Sequence, residues 1–205
     1  MRKWSWIIGF LFFTAVFSVH KDLGVLLGGI LVLAFGIALA RDRMWIWLPA
    51  LAITWTWVFV IAREYYTGYN IIHYHFFGVS ILPIVAWPSI LVFSAYHLLP
   101  VFGQGSWRRS WLNLSLLYVI GLILIEYIGY HFFNIHLSRG KEIPGWPWLD
   151  IMHIPLWMQI GYVWNGVAFF GITLRIHQLK RQAVPLGRPF FWHGRKVDPL
   201  DAHIP

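Results

Sequence analysis

The sequence predicts an all-α fold: a polytopic membrane bundle of about six transmembrane helices, with both termini on the cytoplasmic side. Three observations predict it. Of 205 residues, 59% are hydrophobic and only 12% charged, too little charge to solvate a soluble domain of this length. The apolar residues fall in six runs, roughly 4–20, 24–40, 44–64, 77–99, 111–133 and 155–175, near the ~20 residues a helix needs to cross a bilayer. Within each run the apolarity is continuous rather than alternating. That excludes barrel strands and leaves helices, which satisfy their own backbone hydrogen bonds in lipid.

The elements follow in order. The first run, "MRKWSWIIGFLFFTAVFSV", has the basic start and apolar core of a signal peptide, but no clear small-x-small cleavage site follows, so it is read as a retained first helix. The second run is short for a span. Pro83 and Pro88 are expected to kink the fourth helix, and Pro155 suits the start of the sixth. Residues 1–178 form one transmembrane domain on this reading. The Pro-rich, basic segment 179–205 is an irregular, surface-associated cytoplasmic tail.

Orientation follows from charge. Arg2, Lys3, Arg41, Arg43, Arg108, Arg109, Arg175, Lys180, Arg181, Arg188, Arg195 and Lys196 fall on one side; Lys21, Arg63, Arg139 and Lys141 fall on the other. The excess marks the cytoplasmic face, in what is expected to be a bacterial or archaeal inner membrane. The net charge of +8 sits at span ends and in the tail, which suits a membrane surface and gives no reason to expect nucleic acid. The chain has no cysteine, which excludes disulfides, zinc fingers, iron–sulfur clusters and thiol catalysis.

Two similar phrases stand out: "AREYYTGYNIIHYHFF" at 62–77 and "LILIEYIGYHFFNIH" at 122–136. Both carry Glu-Tyr, then Gly-Tyr, then Ile-His, and both fall toward the non-cytoplasmic side. Glu126 is the sharper signal. If its helix starts near Trp111, it lies ~22 Å along, inside the ~30 Å apolar core. A carboxyl in hydrocarbon is costly and faces a partner or a wet cavity. Held protonated, it is a proton donor; the plainer alternative is a structural hydrogen bond to another helix. Glu64, ending the third span, is equally consistent with a wet interfacial residue. Asp150 and His153 would share a face if helical, although Asp150 is also placed to cap the sixth helix. The candidate catalytic set is therefore Glu126, Glu64 and Asp150.

The aromatics beside these acids either anchor the interface or line a pocket. Tyr69, Trp87, Tyr130, Trp164 and Asn165 are the candidate substrate-binding residues. Aromatic faces would stabilise a cation, and Asn165 with Gln159 would hold a water. The histidines raise a metal alternative. No two are three or four apart, and His131 and His136 differ by five, or ~140° around a helix, which argues against a histidine-box oxygenase. No cofactor is therefore expected. Haem or a His-ligated metal, held among His73, His75, His131, His136 and His153, stays open, since bis-His ligation needs one ring from each of two helices.

The stretch "EYYTGYNIIHYHFFGVSILPIVAWPSILVFSAY", through Glu64, Gly68, Gly78, Val79, Pro83 and Trp87, resembles the membrane carotenoid hydratases grouped as carotenoid biosynthesis proteins. "WPWLDIMHIPLWMQIGYVWNG" is similar to that family's Trp-rich loop and Pro-led helix. The likeness covers about residues 60–170. The family's acidic Asp-Pro element in the fifth span is absent, and Glu126 stands near its place. The resemblance implies an enzyme that hydrates the open ends of carotenoids.

Two readings result. In one, a polyprenoid or carotenoid-type lipid lies between the helices and an acid protonates a terminal double bond, leading to hydration or isomerisation. In the other, the chain is a non-catalytic subunit that binds haem or another tetrapyrrole through its histidines, with partners in a redox or photosynthetic complex.

Overall fold

The computed structural model describes residues 11–12, 14–39, 41–138, 143–182, 190–192 and 195–197. Residues 14–19 are helical (α1). Next come α2 (Lys21–Leu39), a 3-10 segment (Arg41–Ile46), α3 (Trp47–Thr56) ending in a π-helical turn (Trp57–Ile61), and a hairpin of β1 (His75–Phe76) and β2 (Val79–Ser80). Then follow α4 (Ile81–Phe102), α5 (Trp107–His131), α6 (Leu156–Gln182) and a second hairpin of β3 (Phe190–Trp192) and β4 (Arg195–Val197).

Among the described residues, four segments are long and apolar enough to cross a membrane: Lys21–Ala38, Arg41–Ile61, Ile81–Phe102 and Trp107–His131. They correspond to the second to fifth predicted runs. Helix α6 has the length, 27 residues, but Gln159, Asn165 and Arg175 interrupt its apolarity. Its buried positions are Met158, Gly161, Tyr162, Asn165, Gly166, Phe169, Phe170, Thr173, Leu174 and His177, the three-four spacing of one helix face. On α5 the exposed apolar residues Leu112, Leu116, Ile120, Leu124 and Ile128 recur at every fourth position. Water would not tolerate such a stripe, whereas lipid covers it. The protein is an integral membrane protein.

Helix α4 is central, packing on α2, α3, α5 and α6. It contains Pro88 and Pro100, each of which lacks an N–H and so leaves the carbonyl four residues back without its helical donor. Both carbonyls are met from neighbouring segments. The Trp55 indole donates to Ile84 O at 3.2 Å, and the Arg43 guanidinium donates to Tyr96 O at 3.3 Å. The two proline sites, of which only Pro88 was expected from the sequence, are thus docking points for α3 and the 3-10 segment. Pro83 lies in the first turn of α4, where its missing N–H costs nothing.

The connection 62–80 and the segments 132–138 and 143–155 lie at one end of the bundle, where the first two are joined. Asn70 N donates to His136 O and Ser138 N to Gly68 O, both at 3.1 Å. The Asn70 side chain donates to Asn134 O at 2.6 Å and accepts from His136 N at 3.0 Å. The two repeated phrases therefore end in loops that pair with each other. A further anchor is Asp22, in the first turn of α2, whose buried carboxylate accepts from His73 N and Tyr74 N at 2.9 and 2.8 Å. In the first hairpin, Phe77 and Gly78 both have positive φ, 52° and 77°, the backbone of a two-residue turn between twisted strands.

The expected tail boundary at 178/179 falls inside α6, which continues to Gln182. The expected irregular tail also contains an antiparallel hairpin, with Phe191 opposite Lys196.

Candidate active site

A cavity of about 160 Å³ opens at the looped end of the bundle. Trp87, Pro83 and Ala86 of α4, Leu122, Glu126 and Tyr130 of α5, and Tyr162 of α6 line it; Tyr69, His136, His153 and Ile154 close it from the loops. Among the described residues, Glu126 is the only carboxylate that lines it.

The two repeats meet here unequally, for a local reason. In the second copy α5 continues to His131, so Glu126 and Tyr130 are one turn apart and share a face. In the first copy the helix has ended. The π turn closes with Ala62 N donating to Trp57 O, and residues 63–67 are turns. Tyr69 still reaches the cavity, but Glu64 is exposed and is not among the lining residues. The two acids of the repeated phrases therefore do not share one cavity wall.

Asp150 also differs from expectation. Helix α6 begins at Leu156, so Asp150 neither caps it nor shares a helical face with His153. It lies in the preceding loop at φ 48°, with its carboxylate 3.1 Å from His153 Nε2. Met152, two residues on, is also left-handed, at φ 59°. Strained backbone at two non-glycine residues thus presents His153 and Ile154 to the cavity. Gln159, expected to hold water, instead clamps this loop. Its amide donates to Ile154 O at 3.0 Å and to Met152 O at 3.2 Å, and its carbonyl accepts from the Trp146 indole at 2.9 Å. Of the other expected binding residues, Trp164 is 65% exposed, on the same apolar stripe as Leu156 and Ile160, opposite the buried face of α6. Asn165 is on that buried face but does not line the cavity.

The histidines are occupied by the loops. Both His75 ring nitrogens lie on carbonyls, His73 O at 2.7 Å and Thr67 O at 2.9 Å. His131 Nε2 lies 2.9 Å from Leu149 O. His153 Nδ1 lies 2.9 Å from Ile143 O, and its ring stacks on Tyr130 with centroids 4.5 Å apart. The backbone of His73 is held by Asp22, and His136 is in the cavity wall. Among the described residues, no three His, Asp or Glu side chains converge to hold a metal ion. Ligation by His75 or His153 would have to displace these loop carbonyls.

A buried chain of donors lies behind the cavity. The Trp57 indole donates to the Tyr66 hydroxyl at 3.0 Å, and Tyr66 donates to the Tyr162 hydroxyl at 2.9 Å. Burial pushes the Tyr66 phenol well above its ordinary range, so it stays protonated and able to donate. Sequence reasoning missed this linkage, since 9 and 96 positions separate the bonded pairs.

A larger groove of about 800 Å³ lies beside the cavity, between α2 and α4 with edges on α1 and α5. Its lining is almost wholly apolar, including Val25, Val32, Phe35, Val85 and Phe93, with Ser89, Ser94 and His97 as the polar members. The groove and the cavity share Leu82, Ala86, Ile90, Ile125 and Ile135. From Leu82 to His97 the groove follows α4 for ~22 Å at 1.5 Å per residue.

The chain matches no family model, no curated protein and no solved structure.

Proposed function

We propose that this protein is a membrane enzyme that acts on a long apolar lipid of polyprenoid or carotenoid type. The observation that carries the reading is the adjacency of two spaces: a lipid-sized apolar groove, and a small aromatic cavity with one carboxyl in its wall, sharing five side chains. An extended chain fits the first, and its terminal double bond reaches the second past Ala86 and Ile90.

Glu126 is the acid. Its proton passes to the terminal alkene carbon, and the positive charge develops on the adjacent substituted carbon. The faces of Trp87, Tyr69 and Tyr130 stabilise that charge. Water adds to the cation, and the proton it loses returns to the Glu126 carboxylate, so the net change is addition of water. Loss of a neighbouring proton instead gives isomerisation by the same first step. The likeness to carotenoid hydratases agrees with this chemistry. On the proposed topology, six spans with both termini cytoplasmic, the cavity lies near the outer face of a cytoplasmic membrane.

Binding can be tested apart from catalysis. Purified protein mixed with an acyclic carotenoid should carry the pigment's three-peaked visible band through gel filtration. Ala86→Phe, which fills the boundary between groove and cavity, should reduce the bound pigment severalfold. A protein that binds no carotenoid or polyprenoid, or that purifies with a Soret band, contradicts the reading.

A further inference from the structure

A carboxyl that gives up its proton inside hydrocarbon leaves a carboxylate there, and something must stabilise that ion before the proton returns. Among the described residues, no Lys or Arg lines the cavity. It has instead the end of the Trp57–Tyr66–Tyr162 chain.

Counting protons assigns a direction to that chain. An indole nitrogen only donates, and a phenol has one hydrogen. The Tyr66 oxygen accepts from Trp57, and Tyr66 is fully buried, so its single hydrogen goes to Tyr162. The Tyr162 oxygen is thereby an acceptor, and its own hydrogen has no protein acceptor among the hydrogen bonds of the described residues. Tyr162 stands in the cavity wall with Glu126 and is 4% exposed. Its ring is fixed edge-on to Trp87, with centroids 4.6 Å apart and planes at 72°. Its backbone carbonyl accepts from the Tyr118 hydroxyl at 2.9 Å.

We propose that Tyr162 is the positioning residue of Glu126. Its hydroxyl donates to the carboxyl oxygen through one water, and Trp57 and Tyr66 polarise it from behind. Each donor in such a series strengthens the next. The carboxylate formed on proton transfer then meets a preset dipole rather than hydrocarbon. This deepens the reading of Glu126 as the acid, and it rests on that reading for its catalytic consequence alone.

The test is infrared spectroscopy of the full chain in lipid at acidic pH, where the carboxyl is protonated. The Glu126 C=O band is assigned as the one lost in Glu126→Gln. Tyr162→Phe should move that band to higher frequency, toward an unbonded acid, and Tyr66→Phe should move it in the same direction by less. Tyr118→Phe is the control: it removes an equally buried phenol that bonds only the Tyr162 backbone, and it should leave the band in place. Thermal unfolding identifies any variant that has lost its fold, and the smaller Tyr66→Phe shift tests the chain if Tyr162→Phe is one of them. With an acyclic carotenoid as substrate, Tyr162→Phe should lower kcat by ~10²-fold, as loss of one preset donor does, with KM nearly unchanged. A band that stays in place in Tyr162→Phe, or moves as far in Tyr118→Phe, overturns the proposal whatever Glu126 does in catalysis. A shifted band in a protein whose Glu126→Gln form still converts substrate would uphold the donor chain and remove the acid.

Discussion

At the scale of single residues, Glu126 and Asp22 show what one sequence can and cannot reveal. Glu126 was legible because a carboxyl amid "LILIEYIGY" has no cheap explanation in a bilayer. Asp22 was not, because an acid at the start of an apolar run reads as an ordinary interfacial charge. Its importance comes from folding, which brings the amides of His73 and Tyr74 to it from some 50 residues away. Asp22→Ala should therefore destabilise the protein by about 2 kcal/mol, the order of a charge-assisted bond pair lost from a buried site, as measured by denaturant unfolding in detergent. Stability equal to wild type would show that the loop is held by its other contacts. Glu64 shows the converse. Its phrase repeats that of Glu126, yet a repeated phrase fixes a shared orientation only where both copies are helical, and the first copy is in turns.

At the scale of elements, helices were readable from apolar runs, whereas the joints between them were not. Pro83 and Pro88 were expected to kink α4; the prolines inside the helix are Pro88 and Pro100. Their more specific consequence, two orphaned carbonyls met by Trp55 and Arg43, needs the packing of three segments. The Trp55–Ile84 bond predicts a coupling. Trp55→Phe should cost about 1 kcal/mol in the wild-type protein. It should cost much less when combined with Pro88→Ala, which restores the intrahelical donor. A double-mutant cycle on unfolding free energies measures this, and equal costs in both backgrounds would mean that the indole bond does not stabilise the joint. Helix α6 was placed correctly as an element but its end was set too early, because Arg175 reads as a stop when burial of Leu174 and His177 beside it is not known. The loop ahead of it, with left-handed Asp150 and Met152, carries no glycine at those two positions to announce the turn.

At the scale of the whole molecule, the membrane class was fully legible from composition, and the groove was not legible at all. Cavities arise where helices fail to fill space, and no periodicity encodes that. The orientation remains a matter of charge counting, and it makes a direct prediction. The chain has no cysteine, so single cysteines report cleanly. Trp148→Cys, at a position 98% exposed in the looped end, should react with an impermeant maleimide on intact cells or spheroplasts. Gln104→Cys, in the exposed turn at the other end between α4 and α5, should react only after lysis. The reverse pattern would put the cavity on the cytoplasmic side.

The most direct measurement is conversion of an acyclic carotenoid or polyprenoid by membranes that contain the wild-type chain, Glu126→Gln or Glu64→Gln. The amide is nearly isosteric with the carboxyl and cheaper to bury, so Glu126→Gln should fold and bind the lipid. Without a transferable proton, its rate should fall by ~10²-fold or more, the scale of general acid catalysis. Glu64→Gln, whose side chain lies outside the cavity, should convert at close to the wild-type rate. Wild-type turnover by Glu126→Gln, or loss of turnover confined to Glu64→Gln, would contradict Glu126 as the acid at the end of the groove.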